Sequence, residues 1–371
     1  MKIVFLARYL PAEGSTTHMY SAAKNLIERG HKVYILSRGP GDDSSAVNLY
    51  EKAERDGVQF VKLPFPLFKK INLFSRSQQL ASYIFATPVT LFHLFKIKPD
   101  VVHAHYPVTT YLAAMYKKLT GKKFIVTHHI TEIPRHLLNR KADYVIAISR
   151  ELEKHLITSY KYDKDQVKLI FNGVRDHHIT LENNANFSLR ESYGIPQDTV
   201  LFGFVGTISH RKGVDIIIKA FSHCKHLKIH FVALGNGEID WLHQLIKDNH
   251  VCDMVTLIPF RDPTDIYHMM DVLILPSRQE GFPLVPLEAM MMKKPVVRSN
   301  IQGATDQILE GINGYLFESE DHLQLAQIIE KIVLDPKSLI DLGENAYKHA
   351  VNNFSENTMI DNMLVLYDKT I

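Results

Sequence analysis

The stretch that decides the fold spans residues 276–290 and reads Pro-Ser-Arg-Gln-Glu-Gly-Phe-Pro-Leu-Val-Pro-Leu-Glu-Ala-Met. The four apolar residues before it, 272–275, are typical of a buried parallel strand. One glycine and two prolines then interrupt regular structure, and a helix is predicted over residues 288–293. Glu280 and Glu288 therefore lie at the carboxyl end of a strand and in the first turns of the next helix. Open α/β sheets bind their ligands at that end, and a helix start favours phosphate.

Seven residues separate Glu280 from Glu288, and the residues that follow extend the pattern. Residues 294–297 predict another strand, and residues 311–316 form a Gly-x-x-Gly-hydrophobic run. On these residues the chain resembles the retaining glycosyltransferases of family 4, which carry a Glu-x7-Glu signature. The resemblance implies two Rossmann-like doubly wound α/β domains that face each other across a cleft, the arrangement called GT-B.

Length and composition agree with a two-domain globular protein. The chain has 371 residues, 46% hydrophobic and 22% charged, which is long for a single core. Its two cysteines exclude a disulfide framework and indicate a reducing cytoplasm. The first six residues predict a buried strand rather than a signal peptide.

Charge divides the chain into two unlike halves. Residues 1–175 carry 27 Lys and Arg against 14 Asp and Glu, whereas residues 176–371 carry 16 against 26. We therefore expect a first domain over 1–175 that meets something anionic and a second over 176–353. Residues 354–371 form a predicted helix that, by the resemblance, crosses back to the first domain. Residues 183–187 are polar and predict a loose linker.

The first half begins with a βαβ pattern over residues 2–37. Its first loop contains Gly14 but no complete Gly-x-Gly-x-x-Gly, so a dinucleotide fingerprint is absent. In the resembled family this loop faces the donor diphosphate, which implies that role for Gly14. A plain surface loop is the alternative.

Histidines end two predicted strands of this half: His103 and His105 on one, His128 and His129 on the other. His129 matches the catalytic-site histidine of the family. A neutral imidazole there can hydrogen-bond a sugar hydroxyl and lie beside a developing positive sugar. A zinc site is the alternative, although carboxylate or cysteine ligands at metal spacing are not evident nearby.

Residues 61–98 combine basic and apolar side chains without one acidic residue. The basic members are Lys62, Lys69, Lys70, Arg76, Lys96 and Lys98. This composition predicts a surface that lies on anionic lipid, most clearly over residues 61–76. Residues 80–95 are apolar but too short to span a bilayer, and a core helix is the alternative for them.

The second half supplies the predicted donor site. The family pattern Gly-Arg-x4-Lys-Gly, whose Arg and Lys hold the pyrophosphate, matches Lys212, but Thr207 stands at the Arg position. We expect Arg211 to replace that charge, since phosphate binding needs positive charge and donors more than one fixed atom position. Phe260 is expected against the nucleotide base.

The resemblance gives the remaining roles. Glu280 is expected to hold sugar hydroxyls, and Glu288 to accept hydrogen bonds from the ribose. The backbone of four residues is expected to touch the sugar and phosphate: Gly281, Phe282, Pro283 and Leu284.

The predicted activity is retaining transfer of a sugar from a nucleotide-sugar, with UDP expected, to a cell-surface polysaccharide or lipid-linked acceptor. No cofactor or metal is expected, because lysine, backbone N–H groups and a helix start can stabilise the leaving diphosphate. The expected location is cytoplasmic, with peripheral contact to an anionic membrane at its cytoplasmic face, and no nucleic-acid partner is expected. The alternative is a soluble acceptor, with the positive charge of the first half only balancing the acidic second domain. The alternatives are a nucleotide-sugar 2-epimerase and a non-catalytic nucleotide-sugar-binding paralogue.

Overall fold

The computed structural model describes residues 1–11, 13–40, 44–65, 73–106, 109–129, 138–176 and 183–371, except for the side chains at 44, 73–82 and 183–187. The chain divides into two compact units. Unit 1 comprises Met1–Gly173 with Glu356–Ile371, and unit 2 comprises Val174–Ser355. Among the described residues, no helix is long and apolar enough to cross a membrane.

Within its described residues, unit 1 is built on a parallel seven-stranded sheet. Its strands in chain order are β1 Lys2–Leu6, β2 Lys32–Ser37, β3 Gln59–Lys62, β4 Val101–Ala104, β5 Phe124–His128, β6 Tyr144–Ala147 and β7 Val167–Leu169. Their order across the sheet is β3-β2-β1-β4-β5-β6-β7. Ile3 through Leu6 are completely buried, as expected for a strand covered on both faces.

Helices connect and cover these strands. They are α1 Gly14–Glu28, α2 Ser44–Arg55, α3 Leu73–Ile97, α4 Thr110–Thr120, α5 Arg150–Thr158 and the C-terminal α14 Glu356–Asp368. Local signals fix several ends: the Ser149 hydroxyl caps α5 by accepting a hydrogen bond from the Leu152 N–H, and Gly121 ends α4 at φ +74°. α14 packs against α1 and adds Met359, Ile360 and Met363 to the unit 1 core.

Unit 2 repeats the plan with a parallel six-stranded sheet. Its strands are β8 Val200–Val205, β9 Ile229–Leu234, β10 Val255–Ile258, β11 Val272–Leu275, β12 Val296–Ser299 and β13 Gly314–Phe317, ordered β10-β9-β8-β11-β12-β13. The helices are α6 Asn183–Ser192, α7 Val214–His223, α8 Ile239–Asp248, α9 Thr264–Met269, α10 Val285–Met291, α11 Ala304–Gln307, α12 His322–Leu334 and α13 Ser338–Phe354. Both strand orders follow the Rossmann pattern, so the prediction of two Rossmann-like doubly wound α/β domains is confirmed.

Two predictions on the connecting segments have different outcomes. The predicted loose linker over residues 183–187 is wrong, because α6 begins at Asn183. Buried Arg190 anchors that helix: it donates two hydrogen bonds to the Met269 carbonyl and pairs with Asp271. The stretch 61–76, which was predicted to contact lipid, lies largely outside the described residues, and so do its Lys69 and Lys70.

Candidate functional site

The loops that follow β8 and β11 meet at the centre of the unit 2 sheet. Strand order reverses there, since β8 pairs with β9 on one side and β11 on the other. Gly213 ends the β8 loop at φ +72°, and a Cβ on it would lie 2.1 Å from the Pro276 carbonyl oxygen. Only glycine allows this approach. The contact brings the two predicted donor-binding loops together at the position where doubly wound sheets bind ligands.

Lys212 and Glu280 form the charged centre of this site. The Lys212 ammonium donates to Glu280 Oε1 at 2.5 Å, and the Ser277 hydroxyl donates to the same oxygen at 2.8 Å. The Lys212 and Glu280 side chains are only 17% and 9% exposed. Two sequence-predicted residues, 68 positions apart, are thus paired and hydrogen-bonded.

Arg211 is exposed beside the same pair. Its Nη1 donates to the Gln279 carbonyl at 3.2 Å, and its own carbonyl accepts from the Arg278 N–H at 2.9 Å. Thr207, which stands where the family has arginine, is also exposed. Arg211 therefore holds its charge next to the loop that carries Glu280.

Arg278 braces the two loops, a role that the sequence did not reveal. Its guanidinium donates to both carboxylate oxygens of Asp215 at 2.8 Å each, and also to the His210 carbonyl and the Glu320 carboxylate. Burial alone would raise the pKa of Asp215, but the paired guanidinium holds it below its usual value. Arg278 thus ties the β11 loop to α7 and to the loop before it.

Glu288 lies in the first turn of α10, as the sequence predicted, and is half-buried. The Tyr267 hydroxyl on α9 donates to its Oε2 at 2.5 Å. Burial raises the pKa of Glu288, and the Tyr267 hydrogen bond opposes that rise. Tyr267 is a second residue that the sequence did not identify.

Arg298 is a completely buried cation on β12, beneath the same loops. Its Nη1 donates to Gln307 Oε1, while Nε and Nη2 have no hydrogen-bond partner among the described residues. Gln307 in turn donates to the Pro283 carbonyl at 2.9 Å. Burial lowers the pKa of Arg298 to about 10, and the nearby carboxylates of Glu280 and Asp306 oppose the shift. A charged residue in an apolar strand was the available sequence signal.

The other predicted donor-site residues take different positions. Gly281 and Pro283 are half-buried, whereas the side chains of Phe282 and Leu284 are buried, so only their backbone can meet a ligand. Phe260 follows β10 and is 47% exposed. Its N–H donates to Asn236 Oδ1, and the Asn236 carbonyl accepts from Ile208 in the β8 loop.

In unit 1, histidines gather at the carboxyl ends of β4 and β5. The His129 ring lies 5.8 Å from His105 and 5.4 Å from His18, and the His105 ring lies 4.3 Å from His103. His103 bonds Tyr367 and Thr127, both at 2.8 Å. Both ring nitrogens of His105, Nδ1 of His18 and Nε2 of His129 have no hydrogen-bond partner among the described residues.

Burial keeps these rings neutral. It lowers the pKa of His18 to about 4 and those of His103 and His128 to about 3, and it lowers the pKa of His129 well below its ordinary value. No three His, Cys, Asp or Glu side chains in the described ranges are grouped so that they could hold a metal ion. The cluster is therefore a set of neutral hydrogen-bonding groups.

Gly14 opens α1 in the same region. A Cβ on Gly14 would meet no atom within 4 Å, so packing among the described residues does not require glycine there. The next residue, Ser15, shares a 2.8 Å hydrogen bond with the Tyr106 hydroxyl, and the Tyr106 ring lies 6.1 Å from that of His129. Gly14 and His129 are thus linked through Ser15 and Tyr106.

Two family models match consecutive parts of the chain. Residues 12–178 match the family described as Glycosyltransferase Family 4, and residues 186–349 match Glycosyl transferases group 1. Together they span the loops and strand ends described above.

Individual proteins are similar over most of their length. An uncharacterized glycosyltransferase of Methanocaldococcus jannaschii is 25% identical, over 96% of this chain and 95% of the relative. The capsular polysaccharide biosynthesis glycosyltransferase CapM of Staphylococcus aureus is 26% identical over 82% of this chain and 83% of its own. The structure of Anabaena HepE, solved in complex with UDP, superposes with a TM-score of 0.83 at 21% identity, over 100% of both chains. The structural likeness supports the fold.

Proposed function

Since the chain belongs to the group 1 glycosyltransferases of family 4, we propose that it transfers a sugar from a UDP-sugar to a polysaccharide or lipid-linked acceptor with retention of anomeric configuration. Two similarities support the donor and acceptor classes. Anabaena HepE was solved with UDP and with UDP-glucose, and the Staphylococcus aureus relative is named for capsular polysaccharide biosynthesis.

The observation that carries the proposal is the Lys212–Glu280 pair at the unit 2 switch point. An ammonium group has three N–H donors, so Lys212 can hold Glu280 and a phosphate oxygen at once. Arg211 adds a second positive charge beside the same loop. Positioned cations of this kind stabilise the charge that develops on a departing diphosphate, and we propose that the reaction needs no metal ion.

The two carboxylates bind different parts of the donor in this proposal. Glu280, oriented by Lys212 and Ser277, accepts hydrogen bonds from sugar hydroxyls. Glu288 accepts from the ribose hydroxyls, with Tyr267 fixing its other oxygen. Two ionised or hydrogen-bonded carboxylates suit neutral polyol groups, because each carboxylate offers several acceptor positions.

Retention follows a front-face route in this proposal. The bond from the anomeric carbon to the phosphate oxygen breaks, and the acceptor oxygen attacks from the side that the phosphate leaves. The departing phosphate oxygen takes the proton of the acceptor hydroxyl. His129, held neutral by burial, hydrogen-bonds the transferred sugar as positive charge develops on it.

The charge of the first half of the chain is a second support for the acceptor class. Residues 1–175 carry nearly twice as many basic as acidic residues, which favours an anionic or membrane-borne acceptor over a neutral soluble one. We place the reaction at the cytoplasmic face of a membrane, with the enzyme bound peripherally.

A donor panel with anomeric analysis tests the proposal. The protein is incubated with UDP-, GDP- and ADP-sugars, with and without a polyprenyl-linked acceptor, and the products are followed by NMR. We expect transfer from a UDP-sugar, only with acceptor, and a product with the donor's anomeric configuration. Inversion would contradict the retaining route. Conversion of the donor to a 2-epimer without acceptor, or binding without turnover, would instead identify an epimerase or a non-catalytic paralogue.

A further inference from the structure

Helix α3, Leu73–Ile97, is apolar on two opposite faces over its described part. One face is in the unit 1 core and presents Tyr83, Ala86, Leu94 and Ile97. These residues lie on one side of the helix because 3.6 residues make a turn. A helix of unit 1 needs only one such face to pack on its own sheet and helices.

The opposite face is exposed. Phe85, Ile84, Phe92 and Phe95 are 70%, 68%, 63% and 46% exposed, and Pro88 between them is exposed too. At about 100° per residue these positions fall within an arc of roughly 100°, centred opposite the buried face. Phe95 makes an edge-on contact with Tyr116 of α4, and Phe92 makes one with His93 of α3 itself. A contiguous apolar face of this kind indicates an interaction surface.

The part of the sequence that contains this face is rich in positive charge. Residues 57–131, which include α3 and α4, contain ten Lys and Arg but one acidic residue, Asp100. Asp100 accepts a hydrogen bond from the Lys2 N–H at 2.7 Å. Lys96, Lys98 and Lys118 are exposed close in sequence to the α3 and α4 ends.

We propose that the exposed face of α3 docks unit 1 onto an anionic lipid surface. The aromatic and aliphatic side chains enter the boundary between headgroups and acyl chains, and the lysines lie against the anionic headgroups. A second copy of the chain fits less well, because two such faces would bring together two basic regions. The inference rests on the proposed function, because docking would bring the enzyme to a membrane-borne acceptor.

Vesicle co-sedimentation with a charge-matched control tests the docking face. Phe85→Glu with Phe92→Glu alters the face, and Leu334→Glu with Ile340→Glu makes the same change at two exposed apolar residues of unit 2. We expect the native protein and the control variant to bind phosphatidylglycerol vesicles. Both should bind these vesicles more weakly at high salt, and both should bind vesicles of phosphatidylcholine alone more weakly. The α3 variant should bind at least about tenfold more weakly, with an unchanged thermal unfolding midpoint.

Insertion is measured separately with a fluorescent reporter. The chain has one tryptophan, Trp241, so Phe92→Trp in a Trp241→Phe background places the only indole on the face. Its emission should shift to shorter wavelength with anionic vesicles. Three results would each overturn the proposal. The first is equal vesicle binding by the α3 variant and the native protein, and the second is the absence of an emission shift. The third is a native dimer that the α3 variant abolishes while its vesicle binding persists. UDP-sugar turnover on a soluble acceptor is assayed alongside, so that loss of docking and failure of the proposed reaction are distinguishable.

Discussion

The carboxyl edge of the unit 2 sheet carries charged side chains that mostly pair with one another, whereas that of the unit 1 sheet is neutral and incompletely hydrogen-bonded. Buried Arg298 of unit 2 departs from this pattern, because its Nε and Nη2 have no hydrogen-bond partner among the described residues. In unit 2, Lys212 and Arg278 each meet a carboxylate, and Ser277 adds a further donor. In unit 1, buried histidines with lowered pKa values lie ring against ring, and several ring nitrogens have no hydrogen-bond partner within the described ranges.

The difference follows from what each edge can bind. Paired charges in a partly buried site are already oriented, so an anion that enters meets donors in place. Neutral imidazoles offer both a donor and an acceptor and suit uncharged hydroxyls. We therefore propose that unit 2 binds the donor phosphates through its cations and donor hydroxyls through its carboxylates, whereas unit 1 offers neutral imidazoles to the transferred sugar. The predictions below test that division from the largest expected effect to the smallest.

The largest effect is a selective acid lability of unit 1. Burial lowers the pKa of His18 from 6.5 to about 4, and of His103 and His128 to about 3, so the unfolded chain takes up protons before the folded unit does. Stability is undiminished above pH about 6.5 and falls as the pH drops towards 4, by roughly 4 kcal/mol per pH unit if three histidines titrate. Among the described residues of unit 2, burial lowers the pKa values of fewer histidines, His230 and His349. The loss of stability of unit 2 at low pH should therefore be smaller.

Hydrogen exchange at pH 7 and pH 5.5 resolves the two units. Peptides from β4 and β5 should lose protection before those from β8 and β9. His103→Gln should reduce the pH dependence. Equal loss of protection in the two units would contradict the contrast.

The next effect is on the paired edge of unit 2. Arg278→Met leaves the Asp215 carboxylate, which is 5% exposed, without its guanidinium partner. We expect a loss of about 3 kcal/mol in the free energy of unfolding, measured with urea. Adding Asp215→Asn should recover part of it, and Lys228→Met, at the exposed pair with Asp198, should change little. A loss under about 1 kcal/mol would show that the brace is unimportant.

His129→Ala tests the neutral edge through turnover. We expect about a 100-fold lower catalytic rate with donor affinity nearly unchanged, since the hydrogen bond strengthens as the sugar becomes cationic. Steady-state kinetics and UDP calorimetry separate the two quantities. A near-normal rate would remove His129 from the reaction, and a large loss in His128→Ala would transfer the role to that neighbour.

Glu288→Gln tests the proposed ribose contact. The variant keeps the side-chain volume but removes the charge, and we expect UDP binding to weaken by about 1–2 kcal/mol. Binding of 2′,3′-dideoxy-UDP should be insensitive to the change, because it lacks the hydroxyl groups. Unchanged UDP affinity in the folded variant would refute the assignment.

The fold class was predictable because the information is local. Runs such as residues 3–6 and 200–205 contain no polar side chain, and glycines and prolines separate them from amphipathic segments. The spacing of Glu280 and Glu288 placed both carboxylates at a strand end and a helix start, where the structure has them.

The features that the sequence did not reveal depend on distant partners. Arg278 braces Asp215 across 63 positions, and Tyr267 meets Glu288 across 21. Three of residues 183–187 are asparagines, yet α6 begins there, and Arg190 near its end binds a carbonyl 79 positions away. The environment of the two apolar faces of α3 could not be predicted for the same reason. The sequence shows that both faces are apolar, but not which of them packs against the rest of unit 1.

The most direct test of the account compares UDP with uridine on native protein and Lys212→Ala by calorimetry. If the paired edge of unit 2 holds the diphosphate, the variant binds UDP about tenfold more weakly and uridine as before, since only UDP carries the anion. Arg211→Ala should act in the same direction, and Lys247→Ala, at an exposed position of α8, should have no effect. Native affinity of Lys212→Ala for UDP, or an equal loss for uridine, would contradict the claim that this edge binds the donor phosphates.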